Sequence, residues 1–122
     1  MPLVVDGLSI DCADPAALAR FWAEVLDYKI DPSVDPNEIS VSPKSGTATP
    51  LLFIGVPEGK TIKNRLHLDL RPEDQAAEVE RVIGLGAKRV DIGQGEQTWV
   101  VLADPEGNEF CVLRALRPEE RT

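Results

Sequence analysis

The chain is short of chemistry-bearing residues: of 122 positions one is histidine, two are cysteine and 5% are aromatic. No Cys-x-x-Cys pair, phosphate-cradling glycine loop or Ser-His-Asp arrangement is readable, so dithiol redox, nucleotide-phosphate and triad hydrolase chemistry have no basis in the sequence. Cys12 and Cys111 both lie in apolar strand-like runs rather than in a spaced, secreted-type framework, which points to a reducing compartment. There is no run of about 18 apolar residues and no basic, apolar, small-residue leader, so neither a membrane span nor a signal peptide is expected. The expected location is the cytoplasm. Basic residues are also in deficit, 13 Lys plus Arg against 21 Asp plus Glu, giving a net charge of −8 without long acidic blocks. Nucleic acid and anionic membranes need clustered basic residues and are disfavoured as partners. The acidic surplus serves solubility or draws a cationic ligand.

What is present is ordinary for one soluble domain: 43% hydrophobic and 28% charged residues. Residues 3–12 alternate as a strand, with Leu8, Ile10 and Cys12 on one side and Gly7, Ser9 and Asp11 on the other. Asp14-Pro15 supplies an N-cap and a first helical proline, and Leu18, Phe21, Trp22, Val25 and Leu26 recur at helical spacing. At that spacing Phe21 and Trp22 are expected in the core rather than stacked on a ligand. A short strand at Lys29-Ile30, a weakly alternating one over 38–42 and an apolar one over 51–56 follow, separated by Pro/Gly/Ser-rich loops. Residues 57–62 read as a linker.

The second half repeats that order. Residues 64–71 alternate, with Leu66, Leu68 and Leu70 facing a core and His67, Asp69 and Arg71 facing away. A helix is expected from Pro72, with Ala76, Val79, Val82 and Ile83 as its stripe and Gly86 ending it. Strands over 88–92, 98–103 and 109–114 follow, with a type I turn at Asp104-Pro105-Glu106-Gly107, and residues 116–122 form a frayed tail. Overlaid with a shift of about 60 residues, Asp14 falls on Asp74, Gly7 on His67, Lys29 on Lys88 and Leu52 on Cys111. The expectation is an α+β fold of two pseudo-twofold βαβββ modules, about 1–56 and 63–115, whose curled mixed sheets enclose a concave cavity. Gly7, Leu52, His67 and Cys111 would point into it.

These segments together resemble the vicinal oxygen chelate superfamily, which includes glyoxalase I, extradiol dioxygenases and bleomycin-resistance proteins. The chain is most similar to small bacterial glyoxalase-like proteins. The resemblance rests on Asp11-Cys12-Ala13-Asp14-Pro15 with Leu18, Ala19, Phe21, Trp22 and Leu26, on 64–70, and on 102–110. It implies the paired βαβββ fold and, for a member this short, a homodimer. Enzymes of the family hold a divalent metal with His, Glu or Gln taken from those four inward positions. Here only His67 matches: Gly7 has no side chain, Leu52 cannot coordinate, and Cys111 stands where a glutamate is common. No metal or other cofactor is therefore expected. If an ion were held, His67 with Cys111 or Glu109 would hold it.

Strand parity places Ser9, Asp11, Leu52, Ile54, His67, Asp69, Arg71, Trp99, Glu109 and Cys111 as candidate ligand-binding residues. Each has a plainer reading: Trp99 as a sheet-closing hydrophobe, Asp69 and Arg71 as partners of neighbouring strands, Cys111 as an inert buried thiol. His67 is the candidate catalytic residue, as a general base or as a ligand, or else a histidine satisfied by a nearby carboxylate. The first expectation is a metal-free glyoxalase-like protein that sequesters or senses a small organic molecule. The alternative is a metal-dependent lyase, isomerase or dioxygenase that uses His67, so the sequence leaves enzyme against binder open.

Overall fold

A computed structural model describes residues 2–95 and 97–121 as two units that divide between Gly59 and Lys60. In the first unit β1 (Leu8–Cys12) leads into α1 (Pro15–Leu26), followed by β2 (Tyr28–Ile30), β3 (Glu38–Pro43) and β4 (Leu51–Gly55). The second unit repeats this as β5 (Asp69–Leu70), α2 (Gln75–Leu85), β6 (Lys88–Arg89), β7 (Val100–Ala103) and β8 (Glu109–Val112). The sheets have orders β1-β4-β3-β2 and β5-β8-β7-β6, each parallel at its first pair and antiparallel after it. The α+β class and the repeated βαβββ order expected from the sequence are both present.

The internal register confirms the repeat at the level of single residues. Ser9 pairs with Leu52 in one sheet and Asp69 with Cys111 in the other, the same two positions after the shift. Both helices start on an aspartate whose carboxylate accepts the backbone N–H three residues on, Asp14 from Ala17 and Asp74 from Ala77, satisfying an N–H that the helix leaves free. Asp27 ends α1 in the left-handed region at φ 55°, a conformation aspartate tolerates.

Each helix buries one stripe on its own sheet. Leu18 and Trp22 of α1 are fully buried along with Val41 and Phe53, and the Phe21 and Trp22 rings meet edge to face at 5.3 Å. Val79 and Val82 of α2 are buried along with Leu102, Phe110 and Val112. The Asp104-Pro105-Glu106-Gly107 turn forms with its i to i+3 bond, the Gly107 N–H to the Asp104 carbonyl at 2.8 Å. Buried Asp104 also accepts from the Glu106 and Asn108 backbone amides and the Asn108 side chain, so one carboxylate organises the β7–β8 hairpin.

Several boundaries differ from the sequence reading. The first strand begins at Leu8, not at residue 3, and Leu3, Val4 and Val5 are exposed. The strand expected over 64–71 is reduced to Asp69–Leu70, and Leu66 is 81% exposed rather than in the core. The reason lies in the partner strand: β8 begins at Glu109, and its ladder reaches back only to the Leu68 carbonyl, which accepts from Cys111 N–H at 2.9 Å. Ahead of that point the chain is held by a side chain instead, with the Asn64 N–H donating to Glu109 Oε1 at 2.6 Å. α2 begins at Gln75 rather than Pro72. The tail forms a 3-10 turn, Pro118–Glu120, tied down by two bonds from the Arg114 guanidinium to the Glu120 carboxylate. That clasp holds Glu120 down at about 2, chiefly through the Arg114 bonds and then the Arg117 backbone N–H.

Candidate functional site

Alternation within the sheets separates a face that packs on the helix from one that does not. In the first unit Leu51 and Phe53 are buried toward α1, and the opposite face carries Ser9, Asp11, Leu52 and Ile54 as two adjacent cross-strand pairs. Parity thus groups these four candidates correctly. Asp11 pairs with Ile54 in the ladder, and its carboxylate makes no hydrogen bond or ion pair among the described residues.

In the second unit Phe110 and Val112 are buried along with α2, while Glu109 and Cys111 alternate to the other face. Cross-strand pairing brings Asp69 beside Cys111 on that face. His67, just ahead of β5, turns its ring onto this pair: Nδ1 lies 3.0 Å from Asp69 Oδ1 and 3.9 Å from Cys111 Sγ. The His67 and Asp69 side chains are 37% and 49% exposed, whereas Cys111 is buried. The cluster is therefore closed beneath and open above.

The hydrogen bonding fixes what each group presents. A carboxylate can only accept, so in the neutral imidazole Nδ1 carries the proton that is donated to Asp69, and Nε2 is left with its lone pair. Asp69 holds the ring's tautomer and orientation. Burial, followed by the negative Asp69 carboxylate that also accepts from the thiol, pushes Cys111 up from its ordinary value. A thiol held in this way is a poor nucleophile.

Glu109 is spent elsewhere. Its Oε2 meets Lys60 Nζ at 2.6 Å and its Oε1 takes the Asn64 amide, with the Glu109 and Lys60 side chains 12% and 18% exposed. This pair anchors the segment leading to His67, and it removes Glu109 from the candidate donors. Sequence reasoning missed Lys60, which sits in the stretch read as linker and carries no periodic signal. Arg71 donates to the Arg114 carbonyl at 2.7 Å and makes no ion pair among the described residues. Trp99 is more than a third exposed, just ahead of β7 on the same parity as Val101, which pairs with Cys111.

The divalent ion that the resemblance implies needs donors that these residues do not supply. A hard ion such as Mn2+ or Mg2+ wants about six oxygen or imidazole ligands. Gly7 and Leu52 offer none, Glu109 is committed, and Cys111 offers sulfur. The residues present do not fit that ion.

A sequence profile for the glyoxalase-like domain matches residues 7–113. Among curated proteins no sequence match was found. The fold is similar to that of a glyoxalase/bleomycin resistance protein/dioxygenase family enzyme from Burkholderia phytofirmans PsJN, at 20% identity and TM-score 0.69, covering 92% of this chain and 98% of that one. It is similar to TnmS3, an antibiotic binding protein from Streptomyces sp. CB03234, at 21% identity and TM-score 0.62, covering 95% and 99%. It is also similar to the fosfomycin resistance protein FosX of Listeria monocytogenes, in complex with Mn(II), at 12% identity and TM-score 0.71, covering 95% and 93%. At such identities these likenesses establish the fold alone. No helix among the described residues is long and apolar enough to cross a membrane.

Proposed function

The chain belongs to the glyoxalase-like domain family, and from that membership we propose that it is a small-molecule binding protein whose polar anchor is the His67 imidazole set by Asp69. The observation that carries this reading is the pairing itself. Of the four positions where family enzymes take metal ligands, this chain keeps one imidazole, and that imidazole is aimed by a single carboxylate. Such a site hydrogen-bonds an organic guest through Nε2 and needs no ion to do so.

The acidic balance of the chain favours a cationic guest, and exposed Trp99 offers a ring face for a planar cation. The antibiotic-binding neighbour from Streptomyces is a precedent for binding an organic molecule on this fold. We further propose a cytoplasmic homodimer, the form that the resemblance implies for a member of this length, to be checked by light scattering. The deciding experiment is a thermal-shift screen of cationic aromatic compounds on tag-free protein kept in chelator. At least one compound is expected to raise the melting temperature, and less so in His67→Ala. No shift from any compound, or a shift that appears only when a divalent ion is added, overturns the reading.

A further inference from the structure

One glutamine joins three elements of the second unit. Gln75, the first residue of α2, donates from Nε2 to the Thr98 carbonyl at 2.8 Å and to the Val112 carbonyl at 3.1 Å. Both partners can only accept, so the amide meets them with its NH2 group, whose two hydrogens match the two carbonyls. Val112 ends β8 opposite Val100, the first residue of β7, and Thr98 lies two residues ahead of Val100. The bridge therefore closes the sheet just past the final rung of the β7–β8 ladder. Its base is firm, because Asp74 caps α2 through the Ala77 amide. The repeat does not demand it: the first residue of α1 is Pro15, whose side chain has nothing to donate.

The consequence falls on Trp99. The Thr98 carbonyl and the Trp99 N–H belong to one planar peptide unit, so pinning that oxygen fixes the plane from which the Trp99 side chain departs. Among the described residues, the other hydrogen bonds of the stretch 91–98 are local to it, from Ile92 and Gln97 to Gln94 and from Gly93 to Asp91, and the Gln75 bond is the one that reaches a neighbouring element. Trp99 is more than a third exposed, so burial alone does not set its indole. We propose that Gln75 is a positioning residue that holds the Trp99 indole ready as the ring platform for a planar cation. The ligand class rests on the cationic-guest reading above, whereas the coupling of Gln75 to Trp99 is measurable without any ligand. A ring already in place binds more tightly because less side-chain freedom is lost on association.

The test uses the full chain labelled with 5-fluorotryptophan, whose two tryptophans, Trp22 and Trp99, give two fluorine NMR signals assigned with Trp99→Phe. Gln75→Met keeps the length of the side chain and removes the donor. It is expected to move or broaden the Trp99 signal while leaving that of core Trp22 in place. The probe cation 1-methylquinolinium should shift the wild-type Trp99 signal and bind Gln75→Met about tenfold more weakly. If Gln75→Met proves unfolded by circular dichroism, Gln75→Asn, shorter by one methylene, answers the same question through loss of reach. A Trp99 signal unmoved in the folded variant, equal movement of Trp22 and Trp99, or a wild-type Trp99 signal indifferent to 1-methylquinolinium overturns the proposal. Failure of the cationic-guest reading is told apart by the thermal-shift screen, in which no compound then acts; if the screen responds and Trp99 stays silent, the platform alone is refuted.

Discussion

Replacing Glu109 by alanine removes both ties that hold the segment carrying His67. Two charge-assisted contacts at 2.6 Å are lost, one to Lys60 and one to the Asn64 amide. Buried hydrogen bonds to a charged group contribute about 1.5–3 kcal/mol each, and stripping one partner from a buried ion pair costs about 3–5 kcal/mol. Both side chains keep a little exposure, so water screens part of this, and Glu109→Ala is expected to cost about 2–4 kcal/mol. Glu109→Gln keeps a neutral acceptor in place and should cost about 1–2 kcal/mol. Urea unfolding followed by tryptophan fluorescence reads the stability, and hydrogen exchange at the Asn64 amide reads the local release.

The pH dependence follows from the same contacts. Burial by itself would raise the Glu109 carboxyl, but the Lys60 ammonium and the Asn64 N–H outweigh it and hold the group below its ordinary value of 4.5. Its contribution is therefore complete above that ordinary value and fades as pH falls through the depressed folded one. Wild type and Glu109→Gln should converge in stability on acidification. A Glu109→Ala protein within about 0.5 kcal/mol of wild type at neutral pH, with unchanged exchange at Asn64, would refute the tether.

Asp69→Asn offers an amide in place of the carboxylate and frees the imidazole to adopt either tautomer, so affinity for an organic ligand should drop in calorimetry while the melting temperature moves little. Gly55→Ala would drive a Cβ into the Asn37 side chain, which now donates to the Gly55 carbonyl at 2.9 Å; a loss of about 1–3 kcal/mol in urea unfolding is expected, with partial recovery in Gly55→Ala combined with Asn37→Ala. Asp104→Ala strips acceptors from the Glu106 and Asn108 amides of a buried hairpin and should cost about 2–4 kcal/mol by the same assay. Glu120 should titrate near 2 by carboxyl NMR, and Arg114→Met should return it toward its ordinary value; a wild-type midpoint near 4.5 would show that the C-terminal clasp does not form.

The parts of the fold legible in the sequence are those governed by local periodicity. The stripes of α1 and α2, the Asp14 cap, and the repeat that superposes Leu52 onto Cys111 follow from spacing and from turn chemistry, whereas Asp74 caps α2 past Pro72, where the sequence pattern already starts the helix. Strand ends are not legible, because Leu3 to Val5 and Leu66 alternate as a strand does whether or not a partner strand is long enough to pair with them. In the site, parity groups His67 with Asp69 and Cys111, but only geometry shows that they share one nitrogen. The Lys60 tether depends on where a linker folds back, which no short-range pattern encodes. A charged, proline-containing tail reads as frayed until Arg114 and Glu120 are seen to meet.

The proposed site turns on how one imidazole is held, and the chain contains only one, so its nitrogen NMR signals need no assignment by mutation. In chelator-treated protein with the imidazole in its neutral form, long-range proton–nitrogen correlation of His67 should show Nδ1 carrying the proton and Nε2 bare, with the Nε2 shift moving when an organic ligand binds. A ring protonated on Nε2, or one averaging freely between tautomers and indifferent to ligand, would contradict that arrangement.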